Sequence, residues 1–395
     1  MAAKLQIASF THTEEELAAI LADYTAVPLV RHAQLFGGYS GCSYRVELED
    51  GMRFVVKVSN GYSFDDTEFM CRTARHLAEV GYEECCLPIP KAAAGDGHEA
   101  KYRLVSLKER RGVPAFLLTH VIGRPADRVM RESPAFAVAV MRGIGDGLGR
   151  MHFLTEINDG AEKVVAEHGL RWYVKDGGCC DVQDQLDGKI LAKIASSETV
   201  KHHAFVPFYE KELAALREEM TLAQDGTLGL GITHGDPFAD NVLVDPGTGE
   251  LAAFIDIEDV CVGPLLFDLA CCAIGCCFKE GDATNNSGVG GESGARCRPQ
   301  VLDFDLLAAL LEGYSSGRAL ARVEREHFVP YMRLTLLCNC CWRFVKFNVV
   351  DAAAASDDVP EEAKDAYLEL QRRIEYLHDP DVVRKVQDIV DRQQQ

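Results

Sequence analysis

ITHGDPFADNVLVDPGTGELAAFIDIEDVCVGPLLFDLA, residues 232–270, decides the reading of this 395-residue chain. His234, Asp236 and Asn241 form an H-x-D-x-x-x-x-N run. Asp256 follows after two apolar segments, Val242 to Val244 and Leu251 to Ile255. The linker Asp245-Pro246-Gly247-Thr248-Gly249 is built of turn-favouring residues, so the segments are expected to pair as a hairpin. Asp236, Asn241 and Asp256 then stand around the ends of a short ribbon. Such a set supplies a carboxylate that positions a hydroxyl and takes its proton, beside oxygen ligands for Mg2+. Any one of these parts is common in turns. Their joint order, with strand, hairpin and apolar helix in sequence, gives the stretch its weight.

Composition narrows the partners. Hydrophobic residues make up 47% of the chain, enough for a substantial core and for two lobes at roughly 100–200 residues per domain. Forty-one basic residues against 61 acidic ones give a formal charge of −20. Nucleic acid and anionic lipid are attracted by clustered Lys and Arg, which this sequence does not present, so neither is an expected partner. An anionic ligand such as ATP must be held by a few local cations, backbone N–H groups and Mg2+. A cationic or zwitterionic co-substrate suits the general field better. The first thirty residues lack the basic and apolar regions of a secretory signal. The longest apolar stretch, Leu265 to Phe278, is short and carries Asp268, so no membrane span is expected. A cytoplasmic location follows as the expectation. Fifteen cysteines then read as reduced thiols. Adjacent pairs such as Cys271-Cys272 and Cys340-Cys341 point to different sides of an element and make poor joint ligands. The alternative, a metal-binding cysteine protein, lacks repeated C-x-x-C spacing.

Upstream, Thr13 with Glu16 forms a capping box before an expected helix, Glu14 to Tyr24. A strand over Leu29 to Leu35 leads into Gly37-Gly38-Tyr39-Ser40-Gly41, then YRVEL, a turn at Glu49-Asp50-Gly51, and RFVVKVS. Glycines permit close backbone approach to phosphate, so Gly37, Gly38, Ser40 and Gly41 are candidates for a nucleotide flap, although most such clusters are ordinary turns. Lys57 lies amid Val55, Val56 and Val58, where a buried charge needs a partner. Glu68, early in a helix expected over Asp66 to Val80, is the candidate partner; the plainer reading has it complementing the helix dipole. Strands are expected over Tyr102 to Leu107 and Ala115 to Val121, with Thr119 to Val121 as a hinge offering backbone groups to an adenine ring. The strand signal fades near Gly123, which divides an N-terminal nucleotide-binding lobe (1–122) from a C-terminal lobe (123–395).

Downstream the pattern is mainly helical, over Ala135 to Met151, Val206 to Leu222, the run from Asp268, Phe304 to Gly313, His327 to Phe347 and Glu361 to Tyr376. The glycines of Ala135 to Met151 cost helix stability and permit close helix packing. His152, at the end of that segment, reads as structural. The segment Asp159 to Asp187 carries no assigned role, Lys279 to Gln300 reads as a loop, and the chain is expected to end in a charged, Gln-rich tail.

HGDPFADN followed by FIDIEDVCVGPLLFDLA resembles the catalytic signature of the aminoglycoside phosphotransferase and choline kinase superfamily, and is most similar to the homoserine kinases of that fold. EGYSSGRALARVERE further on is like the ending of those kinases. The resemblance covers about residues 30 to 350 and implies an α+β, protein-kinase-like fold, with an antiparallel-sheet lobe and a mainly helical lobe. It implies Asp236 as the base or hydroxyl-positioning group, Asn241 and Asp256 as Mg2+ ligands, and Lys57 on the α- and β-phosphates of ATP. His234 and Asp268 become structural supports of the loop. Pro237 stands where those kinases often have Leu. The lysine of VVKVSN is in the manner of the aminoglycoside, choline and hydroxylysine kinases. The implied reaction is ATP-dependent phosphorylation of a hydroxyl on a small amino-bearing metabolite, homoserine favoured, with hydroxylysine, choline, ethanolamine or an aminoglycoside as alternatives. Asp240, Glu258 and Asp259 are the candidates to face an ammonium group, and Arg333 or Arg343 to bind a carboxylate. A catalytically inactive nucleotide-binding relative is the alternative of another class.

Overall fold

The computed structural model describes residues 12–35, 41–59, 63–89, 105–106, 114–157, 160, 163, 188–198, 200–219, 228–281, 300–350 and 361–393. The segment 164–187, the loop 282–299 and three of the nucleotide-flap candidates, Gly37, Gly38 and Ser40, lie outside these residues.

The chain opens with helix α1 (Glu14–Leu21), whose Thr13–Glu16 capping box forms as the sequence implies. A five-stranded antiparallel sheet follows, in the order β1-β2-β3-β5-β4. Its strands are β1 (Leu29–Leu35), β2 (Cys42–Leu48), β3 (Arg53–Val58), β4 (Val105–Ser106) and β5 (Pro114–Thr119). Alternation along β2 buries Cys42, Tyr44, Val46 and Leu48, which pack with Val56, Val58 and α1 into one apolar cluster. The same period of two turns Val55 toward the opposite face, where it packs with Phe116 and Leu118. Lys57, paired across the ladder with Phe116, shares that face and is buried. Strand periodicity alone thus delivers the lysine to the side away from the sheet's own core. Gly41 immediately precedes β2, and a Cβ there would fall 2.7 Å from the Val58 carbonyl oxygen.

Helix α2 (Phe64–Glu79) connects β3 onward. Although it lies within 1–122, its apolar face (Phe69, Met70, Ala74, Leu77) belongs to the larger cluster that fills the rest of the protein. The two parts are also tied by the backbone: Phe254 N–H donates to Glu84 O at 2.9 Å, and Glu84 pairs with Arg150.

Beyond the sheet come β6 (Arg124–Pro125), α3 (Ala126–Glu132), α4 (Ala137–Thr155), α5 (Lys189–Ala195) and α6 (Phe205–Glu219). The central stretch then supplies β7 (Leu230–Thr233), β8 (Val242–Val244), β9 (Leu251–Phe254), β10 (Cys261–Pro264) and α7 (Leu265–Cys276). The hairpin expected between Val242 and Ile255 forms as β8–β9, with β6 on its outer edge. β7 pairs with β10, so the strand entering the catalytic loop lies beside the one entering α7. β11 (Phe278–Glu280) and β12 (Gln300–Leu302) pair antiparallel. Further helices are α8 (Phe304–Gly317), α9 (Arg322–Glu326), α10 (Phe328–Val345), α11 (Tyr367–Tyr376) and α12 (Pro380–Arg392), with a single helical turn over Glu361–Lys364 before α11.

Helices α4 and α8 meet backbone to backbone. A Cβ on Gly145 would lie 2.1 Å from Leu310 O, one on Gly149 2.4 Å from Tyr314 O, and one on Gly313 2.0 Å from Arg142 O. The costly helix glycines are therefore the price of this close approach. One expectation fails at the end of the chain. The stretch read as a charged tail is helix α12, started by the Asp379 cap with Pro380 behind it. Val382, Val386, Ile389 and Val390 recur at helical spacing and are buried, so its apolar stripe holds it to the core.

Candidate active site

The loop expected to be catalytic runs from His234 to Asn241, between β7 and β8. Gly235 has φ +84°, and a Cβ there would sit 2.4 Å from Asp259 O, so only glycine fits the turn. His234 spends both ring nitrogens on the fold. Nε2 lies 2.9 Å from Ile255 O and must donate to that carbonyl, while Nδ1 accepts from Asp236 N–H at 3.3 Å. One ring proton satisfies both bonds. Burial also lowers the pKa, against the upward pull of Asp268, so the ring is neutral and acts as a strut.

Asp236 and Asn241 are locked together. Asn241 Nδ2 donates to Asp236 Oδ2 at 2.8 Å and to Asp236 O at 3.0 Å. With both amide hydrogens spent, Asn241 Oδ1 is the atom available to a cation. Asp236 is raised well above the ordinary carboxylate pKa, first by burial and then by Asp259, Asp256 and Asp240, with the Asn241 bond pulling the other way. Four carboxylates therefore share one mouth.

Asp256 follows β9 in the left-handed region, φ 66° and ψ 63°, the one non-glycine residue with positive φ among the described residues. Asp tolerates this conformation better than most residues, and such strain is characteristic of sites where the surroundings hold a group in place. Burial raises its pKa, but the Lys57 ammonium more than offsets this and holds the carboxyl below the usual range. Lys57 Nζ donates to Asp256 Oδ1 at 2.5 Å.

The expected Lys57–Glu68 pair is therefore corrected in part. The hydrogen bond assigned to Glu68 goes to Asp256, and Glu68 binds Arg72 one turn along α2 at 2.6 Å. A helical neighbour four residues away competes for that carboxylate at little entropic cost. Glu68 and Lys57 still act with opposite sign on the buried Cys71 thiol, whose pKa burial pushes up.

The hinge expectation is also modified. Thr119 turns its polar groups onto Leu87: its N–H donates to Leu87 O at 2.9 Å and its hydroxyl accepts from Leu87 N–H at 3.0 Å. Val121 packs beside Cys71, Cys86, Phe116, Leu118 and Ile255, an apolar floor next to Lys57.

Beneath the loop, Asp268 on α7 is fully buried and accepts three hydrogen bonds. His234 N–H and His152 Nε2–H reach Oδ2 at 2.7 and 3.0 Å, and Gly235 N–H reaches Oδ1 at 2.9 Å. His234 and Asp268 thus both hydrogen-bond to the loop or its flanking strand. His152 is structural, and sequence distance hid its partner. The same face of α7 offers further support one and two turns on. Cys271 Sγ approaches Gly235 O at 3.7 Å, Cys276 Sγ approaches Pro237 O at 3.8 Å, and the Phe238 ring lies where a Cβ on Gly275 would be. Cysteines that read as small packing residues thus donate weakly to the loop.

The acceptor candidates divide. Asp240 and Asp259 are exposed and close enough to act on Asp236. Glu258 lies in the turn after Asp256, and its side chain is outside the described part. Arg333 is corrected: it is buried, binds Glu212 and Glu219 at 2.7 Å, and its fork is taken by α6. Arg343 donates to Ala366 O at 3.2 Å. Neither bond involves the catalytic loop. The same long helix carries Arg333 into the core and leaves Arg343 half-buried, and local sequence contains no sign of either placement.

The donor set of Asn241 Oδ1 and Asp256 is hard oxygen throughout, which suits Mg2+. Its strained Asp256, 28% exposed at the side chain, fits such an ion. Among the described residues no group of three or more His, Cys, Asp or Glu is arranged for a metal. Every cysteine among them is buried and outside any disulfide, and none of their helices is long and apolar enough to cross a membrane.

A sheet lobe whose buried lysine bonds to an aspartate of a helical lobe, which also carries an H-x-D-x-x-x-x-N loop, is a protein-kinase-like phosphotransferase. The chain belongs to the phosphotransferase enzyme family, whose sequence profile matches residues 32–320. It is 26% identical over 320 residues to a homoserine kinase of Hyphomonas neptunium, covering 80% of this chain and 81% of that one. A homoserine kinase of Pseudomonas aeruginosa is 28% identical over 352 residues, covering 89% and 91%. Among solved structures, an amicoumacin kinase in complex with AMP-PNP, Ca2+ and Ami shares the fold, with a TM-score of 0.57, 15% identity and coverage of 92% of each chain. The kinase-like architecture and the phosphotransferase class expected from the sequence are thereby borne out.

Proposed function

We propose that this protein phosphorylates the hydroxyl of a small amino-bearing metabolite with ATP and Mg2+, and that homoserine is the favoured acceptor. The observation that carries the reading is the acidic mouth: Asp240, Asp256 and Asp259 all bear on Asp236. An acceptor ammonium would relieve that repulsion, and a neutral alcohol would not. The low-identity homoserine kinases support the choice among amines.

Asp236 orients the acceptor hydroxyl and takes its proton. Its carboxylate is aimed by Asn241, and its backbone by His234. Lys57 neutralises phosphate oxygens, and its buried stem holds the ammonium at one position. Asn241 Oδ1 and Asp256 would hold Mg2+, which neutralises charge on the transferring group when bound. Alignment and electrostatics account for most of the catalysis in such a site. Asp240 and Asp259 receive the acceptor's amine. With Arg333 held by Glu212 and Glu219, the carboxylate of homoserine must be met by other donors.

A coupled assay with homoserine, hydroxylysine, choline, ethanolamine and an aminoglycoside tests the assignment, with kcat/KM highest for homoserine. Preference for another acceptor would sink it. Asp259→Asn should raise KM for the amine and leave KM for ATP near its original value; an unchanged acceptor KM removes Asp259 from the role.

A further inference from the structure

The strand that feeds the catalytic loop is gripped at both ends by one connected set of buried polar groups. At its far end stands Asp268. At its near end, Gly229 precedes β7, and a Cβ there would fall 2.2 Å from Arg318 Nη2 and 2.6 Å from Glu156 Oε1. Arg318 sits just past α8 and is buried. Nε and Nη2 form a fork on Glu156, at 3.1 and 2.7 Å. Nη2 and Nη1 form a second on Glu324, at 2.8 and 3.1 Å. The remaining N–H, on Nη1, donates to Tyr314 Oη at 3.2 Å. A guanidinium has five donors, and all five are used.

The carboxylate at the other end sets the direction of the bonds between. Asp268 Oδ2 can only accept, so the His152 ring proton sits on Nε2 and donates to it. His152 Nδ1 is then the acceptor for the Tyr314 hydroxyl, 2.8 Å away, while Tyr314 Oη accepts from Arg318. Asp268 in turn holds the backbone N–H groups of His234 and Gly235. Tyr314, His152 and Asp268 are fully buried, so no solvent competes for these bonds. The glycine seam fixes Tyr314 further, since Gly149 lies against its backbone.

We infer that Tyr314 and Arg318 are positioning residues for phosphoryl transfer. They orient His152, through it Asp268, and so set where Asp236 stands, without touching either substrate. The inference rests on placing the reaction at Asp236.

Tyr314→Phe removes one oxygen from the chain and leaves His152 Nδ1 without its donor. The expected result is a fall in kcat of about tenfold, as for loss of an outer partner that aims a catalytic group. KM for both substrates and the stoichiometry of AMP-PNP binding by calorimetry should be unchanged. The 15N resonance of His152 Nδ1 should move toward that of an unbonded ring nitrogen. A purely structural tyrosine would lower kcat only in proportion to lost AMP-PNP sites; an unchanged kcat per site overturns the inference. Arg318→Lys is the second arm, because three donors cannot serve five acceptors, and it should give the same split of kcat from KM. Asp236→Asn run alongside separates the two levels: normal turnover there removes the site reading itself, whereas its loss together with a normal Tyr314→Phe removes only the positioning role.

Discussion

Replacing Asp268 with Asn tests the support of the loop at its centre. The carboxylate accepts two N–H donors at Oδ2 and one at Oδ1. Asn is nearly isosteric but has one acceptor oxygen. Its better orientation keeps that oxygen on His234 N–H and His152 Nε2–H and turns the amide NH2 onto Gly235 N–H. One buried N–H is then orphaned, at about 1–3 kcal/mol, and two charge-assisted bonds become neutral, at about 1 kcal/mol each. The sum is about 3–5 kcal/mol. With about 2.1 cal/mol/K of unfolding entropy per residue over 395 residues, this corresponds to a Tm about 4–6 °C lower. Facing donors also push Gly235 away, and a shift near 1 Å at Asp236 costs kcat about a hundredfold. Differential scanning fluorimetry and the coupled assay read both quantities, with exposed Asp240→Asn as the stability control. A Tm within about 1 °C of the parent would refute the hydrogen-bond argument. A lowered Tm with normal kcat would refute the link from Asp268 to Asp236.

Asp236→Asn should abolish most turnover, by about two to four orders of magnitude, while stabilising the ligand-free fold. The raised pKa means that stability is lost as pH climbs from the unfolded value of 3.8 through the folded one, so Tm of the variant should exceed the parent's at pH 7 and match it below that window. Asp256 has the opposite sign: its depressed pKa contributes stability above 3.8 that fades as pH falls through the folded value. The Tm deficit of Lys57→Met should therefore be largest near neutrality and shrink in acid; a constant deficit would break the Lys57–Asp256 assignment. In α4, Gly143→Ala has ordinary contacts at 3.7 Å and should raise stability by up to about 1 kcal/mol. Gly145→Ala, with a backbone oxygen 2.1 Å away, should cost about 3 kcal/mol or more by chemical denaturation. Equal effects would dismiss the seam.

What was legible in the sequence was local. Asp236, Asn241 and Asp256 declare themselves because the turn and hairpin that assemble them are encoded within the same 25-residue neighbourhood. Strand alternation carried Lys57 to its face in the same way. The α12 stripe of Val382, Val386 and Ile389 was readable too, yet the surrounding charges masked it. The partners of side chains were not legible. Glu68 chose Arg72 over a distant lysine, and Arg333 was spent on Glu212, choices decided by packing between elements far apart in the chain. The Arg318–Tyr314–His152 set is of this kind, since residues 162 apart meet only after two helices have docked.

The glycine seam has a consequence for how the protein is made. Its two helices lie on either side of the catalytic loop in the chain, α4 before it and α8 after it. On the ribosome, the loop emerges when half of its mount does not yet exist. His152 cannot meet Tyr314, and the ring that donates to Asp268 lacks its own orienting partner, until α8 has been synthesised and has closed against α4. Contacts of such high sequence separation form late and slowly. A nascent chain ending before Phe304 can therefore contain every residue of the proposed mechanism and still lack the mount that aligns them.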